Sequence, residues 1–307
     1  MAGIKVSNLS KSFKSFKAVD GISFEVSEGR VMGFLGPNGA GKTTTLRMLV
    51  GLSRPDSGEV QIAEKSILFG EAKDNAGFGY LPEAPAFYGW MTGSEYLRFI
   101  AGTFYTNQSK IESKTKEVLK IVDLIEAKDR RIAGYSNGMK QRLGIAQALI
   151  NDPKVIIMDE PVSALDPIGR REVLHVINQL KKDKTILFST HILSDVDRVC
   201  DDVAIINKGK IIALSSITEL KEKYTKPILE VEFDRDADSL ITGLKNESWV
   251  ENIEGGGNRL KIWLRDSNIV NDNLPIKYLL SKNVAILKYG LILPEVEDLF
   301  VSLVEGK

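Results

Sequence analysis

Short apolar runs alternate with stretches whose apolar positions recur every three or four residues through the first two-thirds of the chain. The short runs predict strands over 22–26, 31–35, 59–62, 79–81, 154–158, 185–189 and 203–206. The longer, helically spaced stretches predict helices over 43–49, 93–104, 109–122, 139–150, 171–181 and 194–200. Arg54-Pro55-Asp56-Ser57-Gly58 reads as a turn between two of these elements. Val155 to Met158 is apolar at every position, as expected when both faces of a parallel strand are covered. Strand–helix alternation of this kind predicts an α/β domain with a central, mostly parallel sheet.

The pattern changes after a polar stretch at 219–227. Strands are expected at 228–233, 249–253, 259–264 and 284–289. Helices are expected at 237–244, 275–281 and 295–304. Gly255-Gly256-Gly257-Asn258 supplies a turn between two of the strands. The order β-α-β-β-α-β plus a helix is that of a small α+β ferredoxin-like domain. The domains are therefore expected at 1–223 and 224–307, the first carrying a helical subdomain over about 84–150. Met1 to Ser10 has no apolar run, so a signal peptide is not expected. No stretch approaches the 18 or so consecutive apolar residues of a membrane span.

Gly36-Pro37-Asn38-Gly39-Ala40-Gly41-Lys42-Thr43 matches G-x-x-x-x-G-K-[ST], between a predicted strand and a predicted helix. Glycine backbone lets consecutive N–H groups wrap a phosphate with no Cβ in the way. The helix that follows turns unpaired N–H groups and a positive dipole end toward an anion, and Thr44 lies in its first turn. In this motif Lys42 reaches the β- and γ-phosphates and the Thr43 hydroxyl is a Mg²⁺ ligand. A second candidate feature is the apolar strand that ends in Asp159 and Glu160. Such a strand end faces the ligand crevice of a parallel sheet. There Asp159 is placed to hold Mg²⁺ through water, and Glu160 to orient and deprotonate an attacking water. By itself, an acidic pair can equally cap a strand at the surface.

Tyr135-Ser136-Asn137-Gly138-Met139-Lys140-Gln141-Arg142 precedes the helix that leads to Asp159. With the phosphate loop, it makes residues 2–215 resemble the ATPase subunits of ABC transporters, whose signature is usually Leu-Ser-Gly-Gly-Gln. The resemblance implies that Ser136 and Gly138 contact the γ-phosphate held by another protomer, with the helix N-terminus assisting. An ordinary Ser helix cap is the alternative for Ser136. Ser163-Ala164-Leu165-Asp166 resembles the family's D-loop. His191, in Ser189-Thr190-His191, resembles its switch histidine, and Phe13 stands where the family stacks an aromatic on adenine. The chain departs from the family at Asn137 and Met139. It departs again at Glu83, where glutamine is usual; a carboxylate there can still ligate Mg²⁺.

The resemblance implies an ATPase that binds ATP and Mg²⁺ and closes head-to-tail as a homodimer or with a paired ATPase subunit. It also implies a transmembrane permease subunit as partner and a peripheral place at the cytoplasmic face of the membrane. The segment Leu293-Pro294-Glu295-Val296-Glu297-Asp298-Leu299-Phe300 resembles the tail of exporter ATPases. Ala84 to Thr92 carries Phe87, Tyr88 and Trp90 in a Pro/Gly-bounded loop, a composition enriched at interfaces. In the family this region receives a short helix of the membrane partner; a satellite core beneath the next helix is the alternative.

Composition narrows the choice. Lys+Arg and Asp+Glu both number 41, so a bulk nucleic-acid footprint is not expected. This counts against the alternative of a soluble ABC-type ATPase acting in translation or DNA maintenance. A binding-only cassette is a further alternative, and Glu160 with His191 argues against it. Cys200 is the only cysteine, which rules out an intrachain disulfide and fits a reducing compartment. His175 is assigned no role.

Overall fold

The computed structural model describes residues 2–67, 69, 77–224, 228–266, 269, 273–282 and 284–292. The expected helix over 295–304 and the exporter-like segment from Leu293 lie outside the described residues. The chain divides into two compact units, Met1–Ile217 and Thr218–Lys307.

The first unit holds two sheets. A six-stranded sheet is built from β3 (Val31–Leu35), β6 (Phe78–Leu81), β7 (Val155–Met158), β8 (Thr185–Thr190), β9 (Asp202–Asn207) and β10 (Lys210–Ser216). Its order is β10-β9-β3-β8-β7-β6. All neighbours run parallel except the β9–β10 pair, which is antiparallel. β3, β7 and β8 are buried at every position, as the unbroken apolar runs require.

A second, antiparallel sheet has the order β2-β1-β4-β5, from β1 (Ala2–Phe13), β2 (Phe16–Ser27), β4 (Ser57–Ile62) and β5 (Lys65–Ser66). Sequence reading found only the inner part of β2 and missed β1. β1 alternates buried apolar residues with polar ones, and its pairing with β2 shifts register at four points, which breaks a clean period of two. Helix α1 (Lys42–Leu49) lies between the sheets. Its Leu46, Met48 and Leu49 share one core with Ile4, Val6, Phe24, Phe34, Ile157 and Leu187.

Three helices follow β6: α2 (Gly93–Ala101), α3 (Gln108–Ile121) and α4 (Asn137–Leu149). A full capping box starts α2, with Thr92 accepting from Glu95 N while the Glu95 carboxylate accepts from Thr92 N. Two glycines press α4 onto β6. A Cβ on Gly79 would lie 2.0 Å from the Ala148 carbonyl oxygen, and one on Gly144 would lie 2.5 Å from Leu81 Cδ1. Helix α5 (Pro167–Leu180) precedes β8, α6 (Leu193–Val199) precedes β9, and α7 (Ile217–Tyr224) follows β10.

The second unit contains β11 (Ile228–Phe233), α8 (Asp238–Lys245), β12 (Val250–Gly256), β13 (Arg259–Leu264), α9 (Leu274–Ser281) and β14 (Ile286–Ile292). Its antiparallel sheet has the order β12-β13-β11-β14. Numbered within the unit this is 2-3-1-4, the split β-α-β arrangement of the ferredoxin-like fold. Leu229, Val231 and Phe233 of β11 pack with Leu240, Leu244, Trp249 and Leu279 in a core of its own.

Candidate functional site

The C-terminal ends of β3, β7 and β8 converge on one cleft, of about 400 Å³, in the first unit. Asn38, Gly39, Gly41, Lys42, Thr43 and Thr44 form its floor. Glu83, Glu160, Ser163 and His191 form one flank, and Phe13, Phe16 and Ala18 the other.

Two glycines of the loop are required by space and torsion. Gly41 has φ +109°, and a Cβ there would approach the Ala18 carbonyl oxygen to 2.5 Å. Gly36 would bring a Cβ within 2.4 Å of the Ile206 carbonyl oxygen. The loop therefore runs tight between β2 and β9 into the N-terminus of α1. Gly41 itself occupies the N-cap with no side-chain cap, leaving the first N–H groups of the helix for an anion.

Lys42 is buried and folds back over the loop. Its Nζ donates to the carbonyl oxygens of Gly36 at 2.7 Å and Pro37 at 3.2 Å. It also lies 3.1 Å from Glu160 Oε1. The second oxygen of Glu160 accepts from His191 Nδ1 at 3.0 Å. One carboxylate thus joins the loop lysine of β3–α1 to the histidine at the end of β8. Expected only as separate motif members, the three form a connected chain.

Asp159 and Glu160 are held by a residue that sequence reading named only as part of the His191 motif. Ser189 is fully buried. Its hydroxyl donates to Asp159 Oδ1 at 2.6 Å and accepts from the Glu160 backbone N–H at 2.8 Å. Glu160 needs this anchor, because its φ of +46° lies in the left-handed region that a residue with a Cβ avoids. The turn is closed further by Ser163, whose hydroxyl donates to the Glu160 carbonyl at 3.0 Å.

The residues expected to hold Mg²⁺ meet in part. Thr43 Oγ1 and Asp159 Oδ1 are 3.2 Å apart. A Thr43 hydroxyl that ligates Mg²⁺ while donating to Asp159, which reaches the ion through a bound water, fits this spacing. Glu83 faces the same cleft but is exposed. Its nearest effect on the site is electrostatic. Burial pushes the Tyr80 phenol up to about 12, and the negative charges of Asp159 and Glu83 add to the rise while Arg47 opposes it.

Phe13 stands 52% exposed at the mouth, with Lys11 Nζ 5.6 Å from its ring centre. Phe16 pairs with it directly across the β1–β2 turn and also lines the cleft. Sequence reading missed Phe16, although an aromatic three residues from Phe13 across a two-residue turn was a legible signal.

Ser136 and Gly138 are not brought to this cleft. Ser136 caps α4, accepting from Met139 N at 3.2 Å. Gly138 packs on α5, where its added Cβ would meet Gly169 Cα at 3.1 Å. The Ser163–Asp166 loop leads into α5, which Asp166 caps through Gly169 N at 2.8 Å. In the loop expected to meet a partner, Phe87 packs edge-on against Tyr96 at 5.2 Å and is half-buried. Tyr88 and Trp90 are exposed, and Phe99 of α2 joins them by an edge contact at 6.2 Å. Phe87 thus belongs to a satellite core beneath α2, while Tyr88 and Trp90 lie on the surface.

Comparison with known proteins agrees with this geometry. Residues 19–163 match the family described as ABC transporter. An uncharacterized ABC transporter ATP-binding protein of Bacillus subtilis strain 168, YxlF, is 49% identical over 249 residues, 81% of this chain and 79% of its own length. The bacitracin transport ATP-binding protein BcrA of Bacillus licheniformis is 34% identical over 99% of this chain and 97% of its own. A solved ATP-binding cassette of an ABC transporter, in an ADP conformation, superposes with a TM-score of 0.65 and 27% identity, over 71% of this chain and 92% of its own. The chain belongs to the ABC transporter family, as an ATP-binding and ATP-hydrolysing subunit.

Proposed function

We propose that the chain powers an exporter: two ATPase subunits close head-to-tail around ATP, and a separate transmembrane permease turns closure and reopening into transport. Among the described residues no helix is long and apolar enough to cross a membrane, so the spans would belong to the permease. The chain would then sit at the cytoplasmic face of the membrane, held there by that partner. The export reading is supported by the end-to-end similarity to a bacitracin transport protein, which extends through both units.

The observation that carries the mechanism is the Lys42–Glu160–His191 chain at the mouth of the phosphate loop. Backbone N–H groups of Asn38, Gly39 and Gly41–Thr43, together with the Lys42 ammonium, bind the β- and γ-phosphates. Phe13 offers a π face to the base, with Phe16 beside it. Glu160 accepts the proton of the attacking water, and His191 holds that carboxylate in place. Thr43 and Asp159, with Glu83 near them, would hold Mg²⁺, which supplies neutralisation of phosphate charge. Ser136 and Gly138 would complete the site of a second subunit, and the Ser163–Asp166 loop would cross between the two.

Glu160→Gln tests the reading. The amide keeps the shape and loses the base, so ATP binding should persist while turnover falls by about a hundredfold or more. The variant should also elute as a dimer with ATP and as a monomer without it. Unchanged hydrolysis would remove Glu160 from the base role.

A further inference from the structure

Asp195 is fully buried in α6, four residues beyond His191, and takes no part in the cleft chemistry described above. Its Oδ1 accepts from Arg170 Nε at 2.7 Å, and the NH2 group of Arg170 lies 2.7 Å from the same oxygen. That NH2 also donates to Ser194 Oγ at 2.9 Å. Oδ2 has no hydrogen-bond partner among the described residues. Burial pushes the Asp195 carboxyl above the usual carboxylate range, while Arg170, Arg198 and His191 pull it down.

A carboxylate buried with half its acceptors unused is a poor device for stability. Apolar residues of similar volume often replace such pairs with no loss. What the pair does supply is a fixed geometry between two helices. Arg170 lies in the first turn of α5. Its neighbour Gly169 packs against Gly138, and Glu172 pairs with Arg142 of α4 at 3.2 Å. The start of α5 is therefore gripped on one side by the helix that begins at Ser136. On the other side it is gripped by the helix that follows His191.

We infer that Arg170 and Asp195 are positioning residues, which set His191 against Glu160 and tie its placement to the helix carrying Ser136 and Gly138. The inference rests on the roles given above to Glu160 and His191. Loss of the pair lets α6 shift, and a displacement of about 1 Å at a reacting group can cost up to a hundredfold in rate.

The test compares Arg170→Met, Arg170→Met/Asp195→Leu and His191→Ala in the full-length chain, by ATP hydrolysis, ATP binding and thermal melting. Arg170→Met should lower kcat by about tenfold to a hundredfold and leave the Kd for ATP within about threefold. The double variant removes the buried charge altogether, so it should regain most of the lost melting temperature. Its kcat should nevertheless stay at least about tenfold down, because nothing restores the tether to Arg170. A double variant whose kcat recovers along with its stability would overturn the inference. So would Arg170→Met weakening ATP binding and turnover in equal measure. Full turnover in His191→Ala would instead overturn the reading of the site, and this inference with it.

Discussion

Replacing Ser189 by Ala removes one oxygen and disturbs both Asp159 and Glu160. The hydroxyl makes a 2.6 Å bond to Asp159 and receives a 2.8 Å bond from the Glu160 backbone, at a position with no solvent exposure. A hydrogen bond to a buried carboxylate contributes about 1.5–3 kcal/mol, and an orphaned buried N–H costs about 1–3 kcal/mol. Asp159 keeps its bond from Thr43, which offsets part of the first term. Glu160 keeps none for its N–H while remaining at positive φ, a conformation that itself costs of the order of 1–3 kcal/mol unless the surroundings enforce it. A net loss of about 2–4 kcal/mol follows. For a unit of this size each kcal/mol shifts the melting point by about 2–4 °C, so calorimetry of Ser189→Ala should show a fall of roughly 5–15 °C. Without its anchor the Glu160 backbone relaxes and its carboxylate swings from the lysine and histidine, so kcat should fall at least about tenfold. A melting point within about 2 °C of the parent would refute the reasoning, because it would mean that Ser189 does not hold the turn.

Three further outcomes are expected. Gly144→Ala drives a Cβ into fully buried Leu81 at 2.5 Å and should destabilise the first unit by about 1–3 kcal/mol, read by chemical denaturation. The Asp56 carboxylate accepts from Lys11 and from Ser12 N, which hold its pKa below the usual range, so its contribution is present above about pH 4 and lost as pH falls through the lowered value. Melting points of Asp56→Asn and the parent should accordingly differ at neutral pH and converge on acidification. Replacing Tyr88, Trp90 and Phe99 together by Ser should abolish co-purification with the co-expressed permease and leave the melting point unchanged, since all three are exposed.

What the sequence disclosed was local in origin. The phosphate loop is legible because its glycines and lysine encode one turn at fixed spacing, and β7 because full burial leaves an unbroken apolar run. The second unit was legible because each strand and helix carries its own period, and the split β-α-β order admits few pairings. The contacts that assemble the site escaped, because they join residues far apart in the chain. Ser189 reaches Asp159 across 30 positions. Lys42 reaches Glu160 from another crossover, and Arg170 reaches Asp195 across 25 positions. No periodicity reports such pairs. β1 was missed for a different reason, since its bulges and polar alternation imitate a loop.

The signature segment poses the sharpest problem of attribution, because its two principal residues are already employed within their own chain. Gly138 is needed wherever α4 meets α5, since a Cβ there would press on Gly169 at 3.1 Å. An inactive Gly138→Ala would therefore prove nothing about a phosphate on another subunit. Ser136 caps α4, so Ser136→Ala confounds a lost cap, about 0.5–2 kcal/mol, with any lost contact. Ser136→Asp separates the two. Aspartate caps a helix as well as serine does and suits its positive end, so the melting point should hold. The same carboxylate facing a γ-phosphate would add like charge in a dehydrated interface, so ATP-induced dimerisation and turnover should both collapse. If Ser136→Asp dimerises on ATP and hydrolyses it at the parental rate, Ser136 is a helix cap and nothing more. The head-to-tail arrangement would then have to be built on other residues.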